Sequence, residues 1–166
     1  VAGNYSLTWT VSNAPCASTS AVLILTVNPL ANPATAGTDK TICQGGTSTG
    51  LGGSNPLPGT GQWSVTVFPG GGNAGDISFN PNATTQNATA TAAGNAVPGA
   101  YTLTWTVTNL PCSPTSDNLI LTVLGQPIPA TTGAAQTICQ GGTSSGLGGS
   151  SPSPGSGLWT VTAVPV

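Results

Sequence analysis

The chain has 166 residues, and only four of them are charged: Asp39, Lys40, Asp76 and Asp117. His, Arg, Glu and Met are absent, so acid–base catalysis would have three carboxylates and one amine to draw on. A single Lys makes no patch for a phosphate backbone, which excludes nucleic-acid binding.

A hydrophobic fraction of 37% with a net charge of −2 departs from the disordered signature of low hydrophobicity and high charge. The longest apolar run, Ala21 to Leu25, is strand-sized. It falls far short of the roughly 18 residues of a membrane span. No secretory signal opens the chain at Val1, so an export signal is expected to have been removed or to lie outside this sequence.

Read in chain order, the sequence repeats itself. Tyr5-Ser-Leu-Thr-Trp-Thr-Val-Ser-Asn-Ala-Pro-Cys16 returns as Tyr101-Thr-Leu-Thr-Trp-Thr-Val-Thr-Asn-Leu-Pro-Cys112. Thr41-Ile-Cys-Gln-Gly-Gly-Thr-Ser48 returns as Thr137 to Ser144, and Trp63 returns as Trp159. Every offset is 96, without a gap, and 43 of the 70 positions in 1–70 are identical to those in 97–166. The Pro-containing stretches 28–33 and 125–129 mark joints. The expected organisation is the end of one repeat at 1–29, a complete repeat at 30–125, and the start of a third at 126–166. Such a period is domain-sized and too long for a solenoid.

Within the complete repeat, strands are predicted at 38–43 and at 47–52, the second weakened by glycines. Further strands follow at 63–67, 77–79 and 88–92, and a turn precedes Gly99. In Leu103 to Thr108 the apolar Leu103, Trp105 and Val107 alternate with threonines, the period of a half-buried strand. Leu119, Leu121 and Val123 alternate likewise. Helical spacing with caps is not seen. The fold class is therefore all-β: tandem immunoglobulin-like sandwiches of about seven short strands each. Trp9, Trp63, Trp105 and Trp159, all within alternating strands, are expected in the core.

The ordered set Thr-Ile-Cys-Gln-Gly, a strand tryptophan, Ile-Ser-Phe-Asn-Pro-Asn, Tyr-Thr-Leu-Thr-Trp-Thr-Val-Thr-Asn…Cys and Asp-Asn-Leu-Ile-Leu-Thr-Val resembles a family. It is similar to the PKD-like, Ig-like tandem repeats of giant secreted and surface proteins of Bacteroidetes, of the gliding-adhesin type. The resemblance covers the whole chain. It implies secretion, commonly by the type IX route, an extracellular or cell-surface location, and a structural or adhesive role without catalytic residues. One departure is the near-absence of charge, which suggests surfaces packed against neighbours. The resemblance favours an in-repeat disulfide, Cys43–Cys112. The pairs Cys16–Cys43 and Cys112–Cys139 stay open, because standard sandwich topology puts the first turn and the last hairpin at opposite ends.

Other constellations are weak. The four cysteines are isolated and no His joins them, so no zinc site is expected. The three Asp are too scattered for a calcium loop, and no cofactor is implied. The glycine pairs lack the Lys-Ser/Thr of a phosphate loop. Asn82 and Asn87 sit in glycosylation triplets in a loop, with a third triplet at Asn4. The function expected is a structural repeat of an extracellular fibre or stalk, assembled end to end with its own kind. The alternative is an adhesin module that grips a surface glycan or a solid surface through loops or outward threonine rows.

Overall fold

The computed structural model describes residues 1–164, so the last two positions of the 126–166 segment lie outside it. Two compact units divide the chain, Val1–Leu124 and the residues from Gly125. All eight strands among the described residues fall in the first. They are β1 (Gly3–Val11), β2 (Thr19–Val27), β3 (Lys40–Cys43), β4 (Thr60–Val67), β5 (Ile77–Asn80), β6 (Thr89–Ala92), β7 (Gly99–Thr108) and β8 (Thr115–Leu124). The class is all-β. A three-residue 3-10 turn, Ala74–Asp76, is capped by reciprocal bonds between Asn73 and Asp76, a helical element that the spacing did not reveal.

The core lies between two layers. One is a four-stranded sheet in the order β3-β8-β7-β4, with β3 parallel to β8 and the other pairs antiparallel. The other is the β5–β6 pair. Residues 46–53 extend that pair as an irregular edge: Ser48 N donates to Ala90 O, Leu51 N to Ala88 O, and Thr47 bridges Thr91. The strand expected at 47–52 is not formed: an isolated bridge at Thr47 and the bonds of Ser48 and Leu51 dock the segment as an irregular strip, its glycines breaking the ladder. The predicted alternation of β7 is seen side chain by side chain. Tyr101, Leu103, Trp105 and Val107 are buried, while the threonines between them are half-buried on the outer face.

Trp105 is the centre of the packing. Its ring centroid lies 5.1 Å from that of Trp63, tilted by 41°, a favourable arrangement for two quadrupoles. A Cβ on Gly53 would come within 3.0 Å of the Trp105 ring, and one on Gly61 would strike it. These two glycines are required because the backbone itself walls the ring. The Trp63 indole donates to Gln86 O at 3.1 Å, whereas the buried Trp105 Nε1 has no partner among the described residues.

β1 and β2 form a separate two-stranded sheet, exposed along its whole length. Trp9, expected in the core, is 76% exposed, and Trp159 is 54% exposed. Each has the strand sequence of its buried counterpart but lacks a layer packed across it.

The unit from Gly125 contains no strand among its described residues, yet it repeats the loop bonds of the first. Ser150 N donates to Thr131 O and Thr131 N to Ser150 Oγ, as Ser54 N does to Thr35 O and Thr35 N to Ser54 Oγ. Gly133 N donates to Leu147 O as Gly37 N does to Leu51 O.

The two copies of one tryptophan make a direct test of the packing. Trp105→Ala should cost about 3–5 kcal/mol by removing a buried ring. Trp9→Ala should change stability by no more than about 0.5 kcal/mol, as for an exposed position. Urea unfolding of the two variants measures both.

Candidate interaction surfaces

The three carboxylates of the chain all accept hydrogen bonds from other parts of it. Asp39 Oδ1 accepts the Ile120 N–H at 2.8 Å, and Asp117 Oδ2 accepts the Ala36 N–H at 2.8 Å. These reciprocal bonds clamp the approach to β3 against β8 from both sides. Asp76 is buried, and it accepts from Asn73 N, Asn73 Nδ2 and the Tyr101 hydroxyl, the last at 2.7 Å. The hydroxyl proton of Tyr101 faces a second acceptor, Val97 O, at 2.8 Å. Among the described residues no three His, Cys, Asp or Glu come together to hold a metal.

These bonds set the titration. The Tyr101 hydroxyl, then the Asn73 backbone, hold the Asp76 carboxyl below its usual range. The Ala36 and Asn118 backbones do the same for Asp117. Burial, then the bond to Asp76 and its charge, push Tyr101 up to about 12.

The cysteines are free thiols: Cys16, Cys43 and Cys139 are exposed and Cys112 is half-buried. The in-repeat pair Cys43–Cys112 is not formed, and the reason is geometric. Cys43 ends β3 beside Leu124, the last residue of β8, whereas Cys112 lies in the turn before Thr115, the first. The ten residues of β8 separate them, about 30 Å at 3.3 Å per residue. A disulfide needs Cα atoms within about 7 Å. The bridges Cys16–Cys43 and Cys112–Cys139 are likewise not formed.

Asn82 and Asn87 are exposed, but both carboxamides are engaged. Asn82 Oδ1 accepts from Thr84 N, Thr84 Oγ1 and Thr85 Oγ1, and Asn87 Oδ1 accepts from Gly52 N. They shape the loop that seats the 46–53 strip.

Three surfaces remain for interaction. The first is the outer face of the four-stranded sheet, where the hydroxyls pair with one another. Thr66 Oγ1 lies 2.7 Å from Thr104 Oγ1, which donates to Asn118 Oδ1 at 2.6 Å. The second is the joint between the β1–β2 hairpin and the sandwich. There Asn28 Nδ2 donates to Leu110 O at 2.9 Å and Asn109 Nδ2 donates to Pro29 O at 2.8 Å. The third is the hairpin itself. Residues directly opposite share a face, so the register puts Tyr5, Leu7, Trp9, Val11, Leu23 and Leu25 together, all exposed. A contiguous exposed apolar face of this kind is rare on a monomer. It was hidden in the sequence because the same alternation signals a core.

Stability should be flat between about pH 5 and 9. Asp76 and Asp117 titrate lower when folded, so their contribution is present above the usual carboxylate range and lost as pH falls through the folded values. Tyr101 titrates higher when folded, so its contribution is full below about pH 10 and lost as pH rises towards about 12. Unfolding midpoints across pH 2–12 would check both limbs. All four thiols should react with a thiol reagent in the folded chain, Cys112 slowest, and a reductant should leave the midpoint unchanged.

No family model matches the chain, and no curated protein matches it. Among solved structures it is similar to the crystal structure of the Ig1 domain of mouse SynCAM 2. The identity is 18% and the TM-score 0.34, over 57% of this chain and 98% of that one.

Proposed function

We propose that the chain is a section of a tandem array of β-sandwiches that serves as an extracellular fibre or surface stalk, in which units are strung end to end and do no chemistry. The repeat boundaries are those read from the sequence: 1–29, 30–125 and 126–166. The observation that carries this reading is the joint. Two side-chain amides, Asn28 and Asn109, bond across it to backbone carbonyls of the other side. The Cys112 thiol also lies 3.6 Å from Pro29 O. A free linker would leave these groups to water; a bonded one fixes how the 30–125 repeat follows the 1–29 segment. The unit from Gly125 repeats the loop bonds of 33–54, which supports one local fold recurring along the chain. The PKD-like resemblance and the secreted, extracellular setting it implies belong to this reading.

The adhesin alternative would use the uncharged hydroxyl face of the four-stranded sheet to grip a glycan. Its donors and acceptors are already paired with each other at Thr66, Thr104 and Asn118, which favours the stalk.

Chains with one, two and three copies of 30–125 should lengthen linearly in small-angle scattering. Each copy should add roughly 30 Å or more, the length of a ten-residue strand. Copies that collapse on one another, or a single copy that binds a glycan array tightly, would overturn the stalk. In the full 166-residue chain, which contains the Asn28 joint, Asn28→Ala with Asn109→Ala should broaden the distribution of lengths without unfolding the sandwich.

A further inference from the structure

The chain holds the same hairpin twice, once covered and once bare. Tyr5 faces Leu25 and Leu7 faces Leu23, as Tyr101 faces Leu121 and Leu103 faces Leu119. In β7–β8 these side chains are all buried. What buries them lies within residues 30–96: β4 on one edge, β3 on the other, and Leu51, Ile77 and Ala90 across the face. In β1–β2 the same side chains are exposed.

We propose that the bare face of β1–β2 is the receiving half of a sandwich, and that its occupant is a further copy of the 30–96 segment, seated as that segment sits on β7–β8. The proposal rests on the tandem-array reading and names what each hairpin in the array binds. Three details fit it. Gly53 and Gly61 open a slot for the Trp105 ring, and Trp9 stands at the same register in β1. The Tyr5 hydroxyl donates to Val1 O at 2.6 Å, as that of Tyr101 does to Val97 O at 2.8 Å. The second partner of Tyr101, Asp76, comes from the 30–96 segment. Ala96 runs directly into Val97, the counterpart of Val1, so a copy of the segment joined to Val1 meets β1 with no change of loop length.

Two features limit the fit and define the occupant. Ala21 stands where Asp117 does, so the incoming counterpart of Ala36 N would lack its carboxylate. Residues 126–164 of a second chain could offer counterparts of β3 and β4, but they carry none of Ile77, Ala88, Ala90 or Ala92. Those residues make the opposite layer of the core. The longer segment is therefore the occupant that covers the face.

The test extends the full chain by one copy of residues 30–96 placed directly before Val1, recreating the Ala96–Val junction. Trp9 is followed as a 5-fluorotryptophan resonance, identified by Trp9→Phe, and the β1–β2 amides by hydrogen exchange. Trp9 should become as shielded from solvent as Trp105. Protection of the β1–β2 amides should rise by about 100-fold or more, as for a cooperatively folded unit. Gly61→Val in the added copy alone should close the slot and return Trp9 to solvent while Trp105 stays shielded. An extended chain with Trp9 in solvent and Trp105 shielded would overturn the proposal yet leave the array intact, since units can be strung without completing the hairpin. Burial of Trp9 that survives Gly61→Val would overturn the register. Burial of Trp9 in the unextended chain, together with a dimer mass, would assign the face to a second chain's 126–164 instead and overturn it as well.

Discussion

The structure turns on how one large ring is enclosed. Trp105 sits in β7 at the middle of the four-stranded sheet, and two backbone segments at Gly53 and Gly61 close on it more tightly than any side chain would allow. The enclosure orders much else. Gly61 is in β4, so the slot fixes the register that puts Trp63 opposite Trp105. Gly53 ends the strip that pairs with β6, so the same ring ties the second layer to the first. The buried Trp105 Nε1, without a partner among the described residues, costs about 1–3 kcal/mol. Burying the whole ring against Trp63, Leu51 and the glycines outweighs that cost.

Scarcity of charge shapes the rest. With one Lys and three Asp in the chain, ion pairing contributes little, and the carboxylates take backbone and hydroxyl donors instead. Such charge-assisted bonds are among the stronger ones available to a protein. Two of them brace β3, a parallel strand of only four residues that would otherwise be a weak edge. All four charges lie between residues 39 and 117. The hairpin before them and the segment from Gly125 have none.

Much of this fold was legible in the residues. The period of two in Leu103, Trp105 and Val107 gave β7. The elements read too short were those with polar ends. β8 begins at Thr115 and β7 at Gly99, because ladder hydrogen bonds continue where apolar alternation stops. The tryptophans show the limit of pattern. Trp9 and Trp105 have the same neighbours in sequence and opposite exposure, because burial is decided by what packs across a strand. The Asp clamps were equally hidden, since each joins residues 81 apart. The cysteines misled because a family likeness was set against a strand whose length separates them.

The edge strands of this chain differ in how they are protected. An exposed edge is usually blunted by charge, proline, a bulge or shortness. In the sandwich, β4 is bulged between Val65 and Val67, and β3 is four residues long and begins with Lys40. The hairpin has none of these defences. β1 and β2 are nine residues each, run in unbroken register, and contain no charge and no proline. They also present an apolar face that the other copy of the same sequence buries. Asp117, at the position equivalent to Ala21, accepts from Ala36 N and so clamps the approach to β3 against the covered hairpin. The bare hairpin has neither that carboxylate nor a layer packed across it, so its apolar face stays exposed.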